Sequence, residues 1–256
     1  MTEHTNSNTT PTAAVVLIGN EILSGRTHDV NLPAIASALG ERGIAVGEAR
    51  VIPDIPQTIR DTINELRRAH DFVFTTGGIG PTHDDITAEN VAAAFGVPLI
   101  THPEAKKLLL EYFEGRGVEP IEARMRVARV PEGATLVDNP VSDAPGFCMD
   151  NVYVMAGVPK IMNAMLLNIL PGLPMAATLV SQTVICNLPE GTLAAPLETL
   201  QSNNSDVDLG SYPGKTGQSF RVSLVVRGRD EERVNAVAGD IRQMVADLGG
   251  SELAPD

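Results

Sequence analysis

The run Ala13-Ala-Val-Val-Leu-Ile18 constrains the fold more than any other stretch of this chain. It is a continuous apolar segment without polar alternation, stopped by Gly19, the pattern of a strand buried on both faces, as parallel sheets bury theirs. Helical and extended patterns then take turns along the chain. Leu32, Ile35, Ala36 and Leu39 recur at helical spacing, with Gly40 and Gly43 where a helix should stop. Ile44 to Ile52 reads as a second strand. Ile59, Ile63 and Leu66 share one face of a helix starting near Pro56, and Phe72 to Thr75 form a third strand. A β-α-β-α-β order implies parallel strands joined by right-handed crossovers, with ligands beyond the carboxyl ends of the strands.

Further helices are expected over Thr87 to Phe95, Pro103 to Glu114 and Val158 to Leu170, the last ended by Pro171-Gly172. The segment "GFCMDNVYVMAG" reads as two short strands joined at Asp150-Asn151. After "PGLP" the pattern restarts. A strand at Thr183 to Asn187, a helix around Leu193 to Leu200, a strand at Phe220 to Val226 and a helix at Glu231 to Leu248 make a second, smaller α+β unit.

Charge and cysteine usage exclude several functions. Against 32 Asp and Glu stand 19 Lys and Arg, a formal charge of -13, the wrong sign for a phosphate-backbone binder, so nucleic acid is disfavoured as a partner. Cys148 and Cys186 are far apart and lack CxxC spacing, which argues against a disulfide framework or a structural zinc and fits a reducing cytoplasm. The opening "MTEHTNSNTTP" is polar, with no signal-peptide pattern, and residues 1–11 read as a disordered tail. No apolar window approaches the roughly 20 residues that span a bilayer.

The third strand runs into "TTGGIGPTHDDIT", Thr75 to Thr87. Glycines let the chain turn sharply and approach a ligand, and their amides, with a helix beginning at Thr87, suit a phosphate or carboxylate. Gly77, Gly78, Gly80 and Thr82 are the candidate ligand-binding residues here. Thr87 is the expected N-cap, with Glu89 in the first turn. A tight turn plus a cap would explain this much. Asp84 and Asp85 add something else, because two carboxylates beside a bound phosphate repel it unless a cation lies between. Mg²⁺ held by one or two carboxylates and by ligand phosphate resolves the conflict, and one acid could instead orient a water as general base. His83 reads as a hydrogen-bonding loop residue. The first strand delivers "GNEILSGRTHDVN" to the same sheet edge, with Glu21, Ser24, Arg26, Asp29 and Asn31 as polar candidates and Arg26 as a fork for phosphate. Asp54 is the expected N-cap of the helix at Pro56. Gly214-Lys215-Thr216 is not a P-loop, because the earlier glycine would fall at Leu209 and a strand follows.

The motifs "GNEILSGRTHDVN", "TTGGIGPTHDDIT", "NPVSDAPGF" and "MAGVPKIMNAM", in this order, resemble the molybdopterin-binding (MoaB/Mog-like) domain in the version at the N-terminus of the competence/damage-inducible protein A family. The resemblance covers residues 12–174, and "DVDLGSYP" is similar to that family's small following domain, here within 175–256. The family's usual C-terminal amidase domain has no counterpart in these 256 residues. The resemblance implies an α/β fold, a three-layer α/β/α arrangement with a mostly parallel sheet, plus a smaller C-terminal α+β domain. It also implies a homo-oligomer, dimer or trimer, and a pocket for a phosphate-bearing pterin, molybdopterin included, or an adenine nucleotide. Mog-like relatives adenylylate molybdopterin with Mg²⁺, nearer members are associated with metal-dependent hydrolysis of nucleotide pyrophosphates such as ADP-ribose, and a related domain accompanies FAD synthases. Carried onto this sequence, Gly77, Gly78 and Gly80 fall on the phosphate loop, Asp84 and Asp85 on its acidic pair as catalytic and metal residues, and Glu21 and Asn31 on the polar edge of the first strand. Arg26 or Lys160 would pair with a second phosphate. Two departures stand out: Asn20 replaces an acid often present beside Glu21, and Ile161 replaces the acid of the usual "PGVPxEM" motif. Three functions remain in play: a metal-dependent nucleotide pyrophosphatase, a non-catalytic molybdopterin binder or carrier, and a structural oligomerisation module.

Overall fold

A computed structural model describes residues 10–214 and 221–254. Most of the expected tail, residues 1–9, lies outside the described residues, as do Lys215, Thr216 and Phe220. The chain divides into two compact units, the first ending at Ala176 and the second starting at Ala177.

The first unit runs β1 (Thr12–Ile18), α1 (Asn20–Leu23), α2 (Asn31–Gly40), β2 (Ala45–Ile52), α3 (Pro56–Ala69), β3 (Phe72–Thr76), α4 (Thr87–Phe95), β4 (Leu99–Thr101) and α5 (Pro103–Glu114). It continues through α6 (Glu122–Met125), a 3-10 turn, β5 (Arg129–Pro131), β6 (Thr135–Val137), β7 (Gly146–Met149), β8 (Val152–Met155) and α7 (Pro159–Ile169). Six strands form the main sheet in the order β2-β1-β3-β8-β7-β6. β2, β1, β3 and β8 are mutually parallel, and β7 and β6 close the sheet antiparallel.

β1 explains the layering. Ala13, Val15 and Leu17 pack with Ile35 and Leu39 of α2 and Met162, Met165 and Leu166 of α7. Ala14, Val16 and Ile18 pack on the opposite face with Ile59, Ile63 and Leu66 of α3 and Val91 of α4. Both faces of the strand are therefore covered, which makes the architecture α/β/α. The loop after β1 leads to a helix on the first face, and the loop after β3 leads to one on the second. The two connections diverge between adjacent parallel strands and leave a crevice at their carboxyl ends.

Short elements escaped the sequence pattern. β4 and β5 pair antiparallel as a separate two-stranded ribbon, and three-residue strands carry too few positions for a period of two to register. β6 was missed on the same ground, and α1 and α6, about one turn each, are too short to show a helical period. The expected helix over Val158 to Leu170 is α7, followed by a 3-10 turn at Leu170–Gly172.

The second unit contains β9 (Val180–Cys186), α8 (Glu190–Asn203), β10 (Asp208–Pro213), β11 (Val222–Gly228) and α9 (Glu231–Asp247). Its antiparallel sheet has the order β10-β11-β9, and Val184, Leu193, Leu224, Val237 and Ile241 sit in its core. β10 was not expected, since Gly210 and Pro213 depress strand propensity. α8 starts earlier than the apolar spacing suggests and accommodates Pro196. Among the described residues no helix is long and apolar enough to cross a membrane.

Candidate functional site

Three loops meet at the carboxyl ends of β1, β3 and β8. Gly77 has φ 101°, and a Cβ there would stand 2.1 Å from the Ile18 carbonyl oxygen. Its amide donates to the Met155 carbonyl at 3.2 Å, so one glycine holds the ends of all three strands together. A Cβ on Gly157 would come to 3.3 Å from the Gly77 Cα. Asn31 adds a further tie: its Nδ2 donates to the Gly157 carbonyl at 2.8 Å. That bond fixes the orientation of the amide and leaves Oδ1 buried without a partner among the described residues. Asn31 lines a recess of about 70 Å³ together with Glu21 and Gly77.

Beyond Gly77 the chain opens. Gly78 is left-handed at φ 66°, and the amides of Gly78, Ile79 and Gly80 donate to no protein acceptor among the described residues. Successive amides of this kind form an anion-binding concavity. Thr87 is not the N-cap of α4. It is the first helical residue, fully buried, and its hydroxyl donates to the Gly77 carbonyl at 3.0 Å while its amide donates to the Gly78 carbonyl at 2.9 Å. The threonine shapes the glycine loop instead of closing its own helix. Asp54 corrects a second capping expectation: its carboxylate accepts the amide of Asn20, the first residue of α1, at 2.9 Å, while α3 has no side-chain cap.

The acid pair is built around Thr82. The Thr82 amide donates to Asp85 Oδ2 at 2.8 Å, and its hydroxyl oxygen lies 2.6 Å from Asp84 Oδ1 and 2.5 Å from Asp85 Oδ2. One hydroxyl proton serves only one of these acceptors at a time. The Thr82 hydrogen bond holds the Asp84 carboxyl below its ordinary range. The two acids then part ways. The Asp84 side chain is 67% exposed, whereas Asp85 packs against Gly80, where a Cβ would sit 2.6 Å from Asp85 Oδ2.

Asp85, Gly78 and Gly80 line two adjoining cavities. The larger, about 570 Å³, is walled mainly by apolar groups such as Ile79, Val127, Pro145, Val158 and Ile161, with Glu21 at one side. The loop from Asn139 helps to wall it. Buried Asn139 organises that loop by donating to Ser142 Oγ at 2.7 Å and to the Ala144 carbonyl at 2.8 Å. The smaller cavity, about 160 Å³, contains Thr82, His83, Glu89, Arg126 and Arg129.

Of the residues singled out from sequence, Glu21, Gly77, Gly78, Gly80 and Asp85 line the larger cavity, Thr82 the smaller, and Asn31 the recess. Ser24, Arg26, Asp84 and Lys160 are exposed and line none of these three cavities. Arg126 and Arg129 were missed. They come from the irregular segment around α6 and β5, which tertiary packing against β4 and α4 brings to the glycine loop.

A family model described as the probable molybdopterin binding domain matches residues 14–185. The chain belongs to the molybdopterin-binding-domain family. Within that family it is of the CinA type, as the order of its motifs implies. A CinA-like protein of Geobacter metallireducens is 32% identical over 257 residues, covering 95% of this chain but 61% of the relative. A protein of Archaeoglobus fulgidus is 34% identical over 233 residues, covering 91% of this chain and 97% of its own length. Among solved structures, the CinA protein of unknown function from Thermoplasma acidophilum is 31% identical with a TM-score of 0.59, covering 65% of this chain and 99% of that one. The FAD synthase middle domain model matches residues 178–249, and so falls on the second unit.

Proposed function

We propose that the first unit binds a phosphate-bearing pterin or adenine nucleotide together with a divalent cation, and that it hydrolyses a nucleotide pyrophosphate such as ADP-ribose. One observation carries this reading: three consecutive amides, Gly78 to Gly80, without a protein acceptor among the described residues, belong to residues that line a largely apolar cavity of about 570 Å³ together with Asp85. A cavity of that size and character suits a ring-bearing ligand, and the amides suit its phosphate. Fold alone would not license the step, because one fold hosts many functions.

The donor set fits a hard cation. Asp84 and Asp85 present carboxylate oxygens on the Thr82 turn, and Mg²⁺ takes one or two carboxylates and completes its shell with phosphate oxygens and water. Among the described residues no group of three or more His, Cys, Asp or Glu stands ready to hold a metal; ligand phosphate and water would complete the shell of an ion held by this pair. Such an ion, when bound, polarises a phosphoryl oxygen. Asp85 orients the attacking water. Asp85 accepts a proton from that water as its oxygen bonds to phosphorus, the bridging P–O bond breaks, the leaving phosphate departs with the bridging oxygen and its electron pair, and the Gly78 to Gly80 amides hold the charge that develops on the phosphoryl oxygens. We place the protein in the cytoplasm as a homo-oligomer, in keeping with its free cysteines and its resemblance.

A second reading, a binder or carrier without turnover, is favoured by Ile161. This residue stands where the family's usual motif has an acid, and it lines the larger cavity. Incubation with ADP-ribose and FAD, with Mg²⁺ or Mn²⁺, separates the two. We expect turnover that Asp85→Asn reduces about a hundredfold or more and that exposed Asp84→Asn reduces less. Tight binding without turnover establishes the carrier reading, and the absence of both binding and turnover removes the site.

A further inference from the structure

Arg126 and Arg129 are cations without an assigned task. They bracket the 3-10 turn between α6 and β5 and line the smaller cavity together with Gly78, Gly80, Thr82 and Asp85. Neither guanidinium makes an ion pair or hydrogen bond with a described residue. Two carboxylates, Asp85 and Glu89, share that cavity. The arginines therefore share a cavity with two acids to which no direct bond ties them, and with residues of the glycine loop. About 160 Å³ is too small for a ring system beside its phosphates and large enough for a compact anion. Guanidinium groups bind phosphate oxygens in a fork.

We propose that this smaller cavity is a second anion subsite, taking the distal phosphate of a diphosphate ester whose ring end occupies the larger cavity, with Arg126 and Arg129 as its binding residues. The proposal rests on the reading of the glycine loop as a phosphate site. It adds an orientation: the ligand straddles Gly78 to Gly80, ring on the apolar side and second phosphate on the arginine side. It also gives the ligand class, a ring-bearing diphosphate in preference to a monophosphate. The cations that sequence inspection would assign to a second phosphate, Arg26 and Lys160, line neither cavity.

The full chain is titrated calorimetrically, with Mg²⁺ present, with AMP, ADP and inorganic pyrophosphate, and the titrations are repeated with Arg126→Gln, Arg129→Gln and the charge-retaining Arg126→Lys. Expected is tighter binding of ADP than of AMP. Each glutamine variant should weaken ADP and pyrophosphate about tenfold, leave AMP unchanged, and recover in part with lysine. ADP and pyrophosphate affinities that ignore both substitutions overturn the subsite. So does a parallel loss of AMP affinity, which would place the arginines on the first phosphate. If neither nucleotide binds but pyrophosphate binds in an arginine-dependent way, the subsite stands and the nucleotide reading of the proposed function falls. If no probe binds, both fall.

Discussion

Gly77 and Gly25 share a left-handed backbone, yet only Gly77 is walled in. Gly77 has φ 101°, and a Cβ there would collide with the Ile18 carbonyl oxygen at 2.1 Å, a backbone atom that no rotamer change can remove. Gly25 has φ 71°, and a Cβ there meets nothing within 4 Å. Conformational strain alone costs about 1–2 kcal/mol for an L-residue, so Gly25→Ala should destabilise by about 1 kcal/mol. Gly77→Ala adds the displacement of two strand ends and should cost about 3 kcal/mol or more. Urea denaturation of both variants checks the difference, and equal midpoint shifts would contradict this account. The same collision is why Gly77→Ala should also abolish anion binding: pushing Ile18 away separates the loops that form the cavity.

At the scale of elements, Arg50 ties β2 to α3. Its Nε lies 2.5 Å from Glu48 on its own strand, and its two terminal nitrogens reach Glu65 of α3 at 2.7 and 2.8 Å. Arg50 hydrogen bonds hold both carboxyls below the ordinary glutamate range, with His70 contributing less at Glu48. Depressed folded-state values mean that the unfolded chain takes up these protons at higher pH than the folded one. The stabilisation is thus complete above the ordinary value of about 4.3 and fades as pH falls through the lowered folded values. Arg50→Met should flatten the acid limb of stability against pH and leave the curve's shape above about pH 6 unaltered. An unchanged acid limb would show that these exposed pairs are fully screened. Elements of this length were largely legible in the sequence, because a doubly buried strand such as Ala13 to Ile18 and an amphipathic face such as Ile59, Ile63 and Leu66 announce themselves by period. The glycine loop was legible for a related reason: positive φ demands a residue type. Capping was misread at Thr87 and Asp54 because the local rule assigns a side chain to the nearest helix, whereas packing gave each a partner 10 and 34 residues away. Adjacency of Asp84 and Asp85 concealed a difference in exposure: both reach the Thr82 hydroxyl, but only Asp85 also lines the two cavities. Arg126 and Arg129 had no period to reveal them.

Across the whole molecule, the residues of the candidate site all come from the first unit, and the second unit has a core of its own. Val184, Val226, Val237 and Ile241 are fully buried there, and Asp230 caps α9 by accepting the Arg233 amide at 3.1 Å. A segment of this length is near the lower limit at which one core supports a fold. Residues 177–256 made alone should therefore unfold cooperatively but with little reserve. Loss of the cap in Asp230→Ala, worth about 1 kcal/mol, should lower the melting temperature of that segment by about 4–8 °C. In the first unit made alone, residues 1–176, the substitution has no counterpart, and ADP with Mg²⁺ should still raise the melting temperature, because a ligand that binds only the native state stabilises it. Circular dichroism of the two segments decides the matter. A second segment without a cooperative transition would make its fold dependent on the first, and a first segment that ADP leaves unmoved while it stabilises the full chain would place part of the binding surface beyond residue 176.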